Sequence, residues 1–484
     1  MSEIKVNKIS PRTACGTTTL GDTGDTFTIP AGVTITNSGT AAGFGATGAA
    51  SWDTTVKTTG FTAVSGVGYF VNTTVGIITV TLPASPSAGD VVAVSDYAGT
   101  ADTNNITIGR NGSNINGAAA DLTIEYENSA VTLVYVDGTQ GWKATDTSNL
   151  SDIALQPSYI TATGGTITCS PCGDYKIHTF TGPGALCVSA AGNAAGSNTV
   201  DYLVVAGGAT GGIGFNASGG GGGAGGLRFS ASTFTAPCTS APRAGSALSV
   251  TASSYPITVG GGGTVSGPGN PDGVQGGPGS NSIFSTITST GGGGGGGYRA
   301  PIAPGLPGGS GGGGGGDTSP AINASGGAGN TPPTTPSQGS TGGGGFSTGP
   351  WYPAGGGGGA GAVGTTNPAP GHGGPGGVGL QINIDTNTNY WAGGGGGAGW
   401  QGANGGNGGL GGGGGGATYS ATGGSGGGSA LNSGAAGTNS WPSNSVGGAG
   451  GANTGGGAGG SNCSPAAKGN GGSGIVIIRY KFQN

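Results

Sequence analysis

The sequence predicts an all-β, helix-poor protein in two unlike parts: an ordinary β half, then a glycine-rich sandwich of polyglycine II type with a small β cap. Three observations predict it. Short segments rich in Val, Ile and Thr, separated by Gly, Asn and Asp turns, fill the first 200 residues. Beyond them roughly a third of the residues are glycine, in runs of matched length and in Gly-Gly-X triplets. Hydrophobic residues make up 33% and aromatic residues 6% of the 484, too few for the three conventional cores that the length alone suggests. Composition also excludes functions. Only 6% of residues are charged and the formal net charge is −5, which gives neither the high charge of a disordered chain nor the basic footprint of a nucleic-acid binder.

Residues 1–48 alternate short Thr, Val and Ile segments with turns, as in Thr26-Phe27-Thr28-Ile29 before Pro30. So thin a segment cannot bury a core alone, and several chains wound together would supply one. Its first fifteen residues are polar and carry Lys5, Lys8 and Arg12, so no signal peptide is expected. Nowhere near either end is there an apolar run of the roughly 20 residues that span a bilayer. No membrane insertion is expected.

Residues 49–148 read as a β-sandwich, with strands at Tyr69–Asn72, Ile77–Leu82, Val91–Ser95, Ile106–Ile108, Leu122–Tyr126 and Val131–Val136. Ser87-Ala88-Gly89-Asp90, Arg110-Asn111-Gly112-Ser113 and Asp137-Gly138 supply tight turns. Residues 149–164 read as a linker, and residues 165–484 as the glycine-rich domain. Its strands are expected at Tyr175–Phe180, Leu186–Ser189, Asp201–Ala206, Tyr255–Val259 and Ile475–Phe482. Two of these run straight into glycine, at Gly207-Gly208 and Gly260-Gly261, so they form a cap or base.

The pure runs are Gly291–Gly297, Gly311–Gly316, Gly355–Gly359, Gly393–Gly397 and Gly411–Gly416. Around them lie triplets such as Gly405-Gly406-Asn407-Gly408-Gly409-Leu410. Three residues per turn is the polyproline II period, in which no backbone group bonds internally. Rods of glycine can therefore pair laterally on every side, with a Cβ tolerated only on an outer face. The triplets should be surface rods. A hydrogen bond returns about 0.5–1.5 kcal/mol against roughly 1–2 kcal/mol of backbone entropy per residue, so only dense, fully paired packing folds.

Links between rods fall at the two ends of such a slab. They carry Tyr298, Arg299, Trp351, Tyr352, Tyr390, Trp391, Trp400, Tyr419 and Trp441, the candidate residues for binding an external partner.

Signs of catalysis are weak. A glycosidase needs two carboxyl groups about 5–9.5 Å apart, and after residue 200 the acids are Asp201, Asp272, Asp317 and Asp385, scattered in sequence. Glu125 and Glu127 read as a solvated pair on one strand face. The two histidines, His178 and His372, lie in no nucleophile motif, and His372 reads as a plain loop residue. Cys169-Ser170-Pro171-Cys172 has zinc half-site spacing, with His178 and Cys187 as conceivable further ligands, but a single such motif leaves ordinary buried thiols as the favoured reading for most of the six cysteines. The Gly207-Gly208-Ala209 string lacks the helix and acidic residue of a dinucleotide site. The expectation is a binding protein: no enzyme, no metal, no cofactor.

At Ser2–Ser10, Leu20–Pro30, Tyr69–Asn72, Thr81–Ala84, Gly141-Trp142, Asp201–Gly208 and Gly474–Tyr480 the chain resembles bacteriophage tail-fibre proteins, particularly those of marine phages. The resemblance implies a homotrimeric virion fibre, attached to other tail proteins by its N-terminal region. Its glycine-rich tip would recognise a bacterial surface polysaccharide or outer-membrane protein. It implies location in the virion, with release by lysis. A capsid-attached fibre with the same tip is the alternative within that class. An ice-binding or matrix protein also packs glycine rods, but it would need no β leader of 150 residues and would require a flat face of regular Thr or Ala.

Overall fold

A computed structural model describes residues 50–147 and 153–483, apart from 156, 172, 216, 231–242, 265–272, 300, 302, 317–322, 348–350, 367–370, 441–444 and 463–468. The expected intertwined segment 1–48 lies outside the described residues. The fold is all-β, without an α-helix among the described residues, and divides near residue 152 into two compact units.

The first unit opens with β1 (Ser51–Lys57), β2 (Phe61–Thr62), β3 (Val67–Val71), β4 (Ile78–Thr81), β5 (Val91–Asp96) and β6 (Ile106–Gly109). The chain alternates between two sheets, so β1, β3 and β5 pair in parallel in one and β2, β4 and β6 in parallel in the other. After the short β7 (Leu122–Ile124), β8 (Ala130–Asp137) joins the first sheet antiparallel to β5, and β9 (Gly141–Thr147) pairs antiparallel with β8. Val71, Val80, Leu82, Val92, Val94, Ile106, Ile108 and Leu133 are fully buried. The antiparallel connections of an ordinary sandwich are thus mostly absent. The turns at 87–90 and 110–113 lead into strands or loops of the other sheet, and only Asp137-Gly138 joins neighbouring strands, its carboxylate accepting the amides of Thr139 and Gln140.

In the second unit, β10 (Ile153–Leu155) precedes β11 (Ile160–Thr163), β12 (Thr166–Cys169), β13 (Tyr175–Phe180), β14 (Gly184–Ala191) and β15 (Thr199–Val205). Then come β16 (Leu227–Phe229), β17 (Leu248–Ser249), β18 (Ser254–Thr258), β19 (Ser282–Phe284) and β20 (Ile287–Ser289), followed by β21 (Leu380–Gln381), β22 (Tyr390–Trp391) and β23 (Ile475–Lys481). One antiparallel sheet has the order β11-β14-β18-β19-β20 and another β12-β13-β23-β15-β16. Part of the expected linker is therefore structure, since β11 pairs with β14.

Because side chains alternate along a strand, β15 and β23 serve two cores. Val200, Tyr202, Val204, Val476, Ile478 and Tyr480 meet Leu186, Ile257 and Phe284 of the facing sheet. Leu203, Val205, Ile475 and Ile477 pack on the other side against Ile382, Ile384, Trp391 and the rod alanines Ala224 and Ala360. The second core joins sheet to glycine slab.

The rod 219–226 lies inside the slab. Its amides donate in a three-way rotation: Gly220 to Gly296, Gly221 to Gly355, Gly222 to Ala458, then Gly223 to Gly293, Ala224 to Gly358 and Gly225 to Gly455, all at 2.8–3.0 Å. Its carbonyls accept from three other rods, through Ala398 and Gly395, Gly212 and Ala209, and Gly313 and Ser310. A rotation of three with six neighbours is polyglycine II packing. The partner numbers fall as the rod's own rise, except along 354–360, so five neighbours run antiparallel to it.

The triplet rod 403–410 lies on the surface as expected. Asn404, Asn407 and Leu410 are exposed while Gly406 and Gly409 are buried. The asparagines also work: their Oδ1 atoms accept the amides of Thr422 and Ser425 on the next rod, at 3.2 and 3.0 Å.

Candidate functional site

The hydrogen-bond register fixes which links share an end of the slab. Ala206, which follows β15, donates to Gly226, and Leu227 begins β16, so the Gly226 end of the central rod abuts the sheets. Gly219 and Gly220 mark the far end, and beside them lie Ala398, Gly212 and Gly296. Following each rod outward places the described residues of the links 213–218, 298–303, 346–352, 371–372, 399–403 and 418–422 at that far end.

Six candidates therefore gather there: Tyr298, Arg299, Trp351, Tyr352, Trp400 and Tyr419. Two do not. Tyr390 and Trp391 form β22 at the sheet end, and Trp391 is 0% exposed, its indole N–H donating to Ile382 at 2.9 Å. It is a core residue that covers rod ends, and the expectation of a binding-loop tryptophan does not hold for it. Trp441 lies outside the described residues.

At the far end exposure differs sharply. Trp351 is 40% exposed, whereas Tyr298 and Trp400 are each 5% exposed and support the loops from beneath. The Arg299 guanidinium stacks 4.7 Å from the Tyr298 ring. The Trp400 and Tyr419 rings meet at 4.9 Å, tilted by 55°. Gly371, at φ +76°, is packed against Trp351, whose Cβ and Cδ1 lie 3.1 Å from where a Cβ at residue 371 would stand. A side chain there would displace the indole. His372 Nδ1 accepts the Asn404 amide at 3.2 Å, which leaves Nε2 as the ring nitrogen that donates. Phe215, 42% exposed in the link 213–218, belongs with this group and escaped the sequence reading. The signal was available, for it too sits between two glycine segments.

The possible zinc set does not assemble as such. His178 is fully buried with both ring nitrogens engaged, Nδ1–H donating to Gly164 O at 2.7 Å and Nε2 bonded to Tyr480 Oη at 3.0 Å. Cys169 and Cys187 are free and exposed, contrary to the expectation of buried thiols. They stand on strands of different sheets: Cys187 alternates with the buried Leu186 and Val188 and so faces outward, and Cys169 ends β12, a strand exposed along its whole length. Cys172 lies outside the described residues. Among the carboxylates, Asp201 pairs with Arg479 and Asp385 binds the amides of its own loop, while Asp272 and Asp317 lie outside the described residues.

Burial, with a smaller contribution from Lys176, lowers the His178 pKa below its usual 6.5. The unfolded chain thus takes up a proton that the folded chain resists, and the stabilisation is complete above about pH 6.5 and falls as pH drops below it. Urea midpoints measured from pH 7.5 to 5 are expected to decline, and to decline less in His178→Gln.

Comparison with curated protein sequences gives no match. Residues 187–444 match the model of a family described as a glycine-rich domain. That span covers more than half of the chain and takes in the rods from 206 to 440, and the protein belongs to this glycine-rich domain family.

Proposed function

We propose that the protein is a virion fibre, homotrimeric and held on the phage tail by its N-terminal region, whose glycine slab adheres to the bacterial host through its far-end links. One observation carries the reading: the hydrogen-bond register sets six of the eight described candidate residues at the end away from the β base, around an exposed tryptophan. A rigid slab that presents loops at one end suits recognition, because a fixed scaffold limits the entropy lost on binding. The fibre resemblance at Leu20–Pro30 supports virion attachment through the N-terminal region, and that at Asp201–Gly208 supports a receptor-binding glycine-rich part. An ice-binding plane is disfavoured by the outward ladder Asn404, Asn407 and Leu410, which has no regular rows of Thr or Ala.

Labelled full-length protein is expected to bind host cells saturably. Trp351→Ala should weaken binding at least tenfold, on the scale of a truncated aromatic anchor. Leu431→Ala, an equally exposed apolar residue at the sheet end, should leave it unchanged. Equal loss in both variants, or in neither, would sink the reading.

A further inference from the structure

We infer that Trp351, His372 and Asn404 form a subsite for one neutral sugar residue of a surface glycan. The inference rests on the far end being the contact surface and adds what that surface holds. The three are joined through the backbone: the Trp351 indole packs against Gly371, the neighbour of His372, and His372 Nδ1 takes the Asn404 amide. Their chemistry converges. Trp351 is 40% exposed, and the apolar surface of an indole suits the C–H face of a pyranose ring. His372 Nδ1 is already an acceptor, so Nε2 carries the proton and is a donor of fixed identity. Asn404 spends Oδ1 on the Thr422 amide and keeps its two Nδ2 hydrogens as donors. Donors flanking an aromatic platform match sugar hydroxyl oxygens.

Charge selects the class of sugar. Among the described far-end residues Arg299 is the one side chain with a fixed charge, and it stacks on Tyr298. Among the described far-end residues there is no carboxylate to bind an amino sugar and no cluster of cations to hold a uronate or phosphate. A protein receptor would ordinarily meet a larger apolar centre, whereas Trp400 and Tyr298 are withdrawn beneath the surface.

The test uses full-length protein on a printed panel of neutral hexose glycans, uronate-bearing glycans and phosphorylated glycans. Host cells treated with periodate or with protease form the second arm. Saturable binding to neutral glycans is expected, reduced at least tenfold in Trp351→Ala and about threefold or more in His372→Phe, with thermal midpoints kept. Trp351→Phe, which preserves an aromatic face, should restore part of the binding. Binding confined to charged glycans, or unaltered in Trp351→Ala, overturns the subsite. Cell binding that falls in Trp351→Ala but survives periodate and is lost to protease keeps the far end as the contact surface while overturning the sugar. Cell binding unaffected by Trp351→Ala removes the adhesive reading itself.

Discussion

Gly221→Ala is expected to destabilise the protein by about 3 kcal/mol or more, the upper range for overpacking an interior. A Cβ on Gly221 would stand closer than 3.0 Å to the Gly395 carbonyl and to the Gly357 amide, both backbone atoms of neighbouring rods. Nothing there can rotate aside, since those rods are held by their own bonds, Gly357 to Gly395 and Gly395 to Gly222, at 2.8 and 2.9 Å. Two rods would have to separate and several interior hydrogen bonds would stretch together. The comparison that isolates this cause is Gly428→Ala. Residue 428 has nothing within 4 Å of an added Cβ and needs no left-handed backbone, so alanine there should be neutral or stabilising by about 0.4–1 kcal/mol through the lost freedom of the unfolded chain. Denaturant midpoints of the two variants decide the matter. Equal effects would mean that the rods are not packed in solution as described.

Legibility followed the physics of each level. β13 falls at the expected Tyr175–Phe180 and β23 within a residue of its expected end, because alternating or continuous β-branched runs bounded by glycine have few other uses. The rods were legible because a period of three with two glycines per turn leaves one outward position. Strand partners were not legible. The Ser87–Asp90 turn marks a change of direction and says nothing about which sheet receives β5.

The mixed fate of the tryptophans has a similar cause. Trp351 and Trp391 both precede glycine runs, and which end each occupies depends on the number of rods already traversed. Some rods hide from a count of glycine runs. Residues 303–309 cross the slab with glycine only at 305, 308 and 309, Leu306 donating to Gly294 and Gly309 to Gly291, so that the pure runs 291–297 and 311–316 point the same way. The contact between His372 and Asn404 was equally out of reach, because it spans 32 residues and two rods.

Asp201→Asn is expected to cost roughly 3–5 kcal/mol, the range for removing one partner of a buried ion pair. Asp201 and Arg479 face each other across β15 and β23, are 5% and 8% exposed, and meet at 3.3 Å between Oδ2 and Nη2. Ser230 Oγ donates to the other carboxylate oxygen at 2.8 Å, and the guanidinium lies 5.1 Å from the Tyr175 ring centre. Desolvation makes such a pair a poor source of stability, and replacing both members with apolar residues is often neutral. The double variant Asp201→Leu/Arg479→Met should therefore recover most of the midpoint lost in the single one. Recovery of the midpoint need not bring back the register. In a strand with one buried face a slip of one residue exposes the whole apolar set, but β23 is buried on both faces and its run Ile475-Val476-Ile477-Ile478 reads almost the same after a slip. Hydrophobicity alone thus fixes its position weakly, and a slip would carry Arg479 away from Asp201 at the full cost of two buried charges. The double variant is accordingly expected to regain stability while losing the single register, seen as duplicated amide resonances or faster hydrogen exchange along Ile475–Lys481. Sharp single resonances in that variant would show that the facing sheet and the glycine slab set the register without the ion pair.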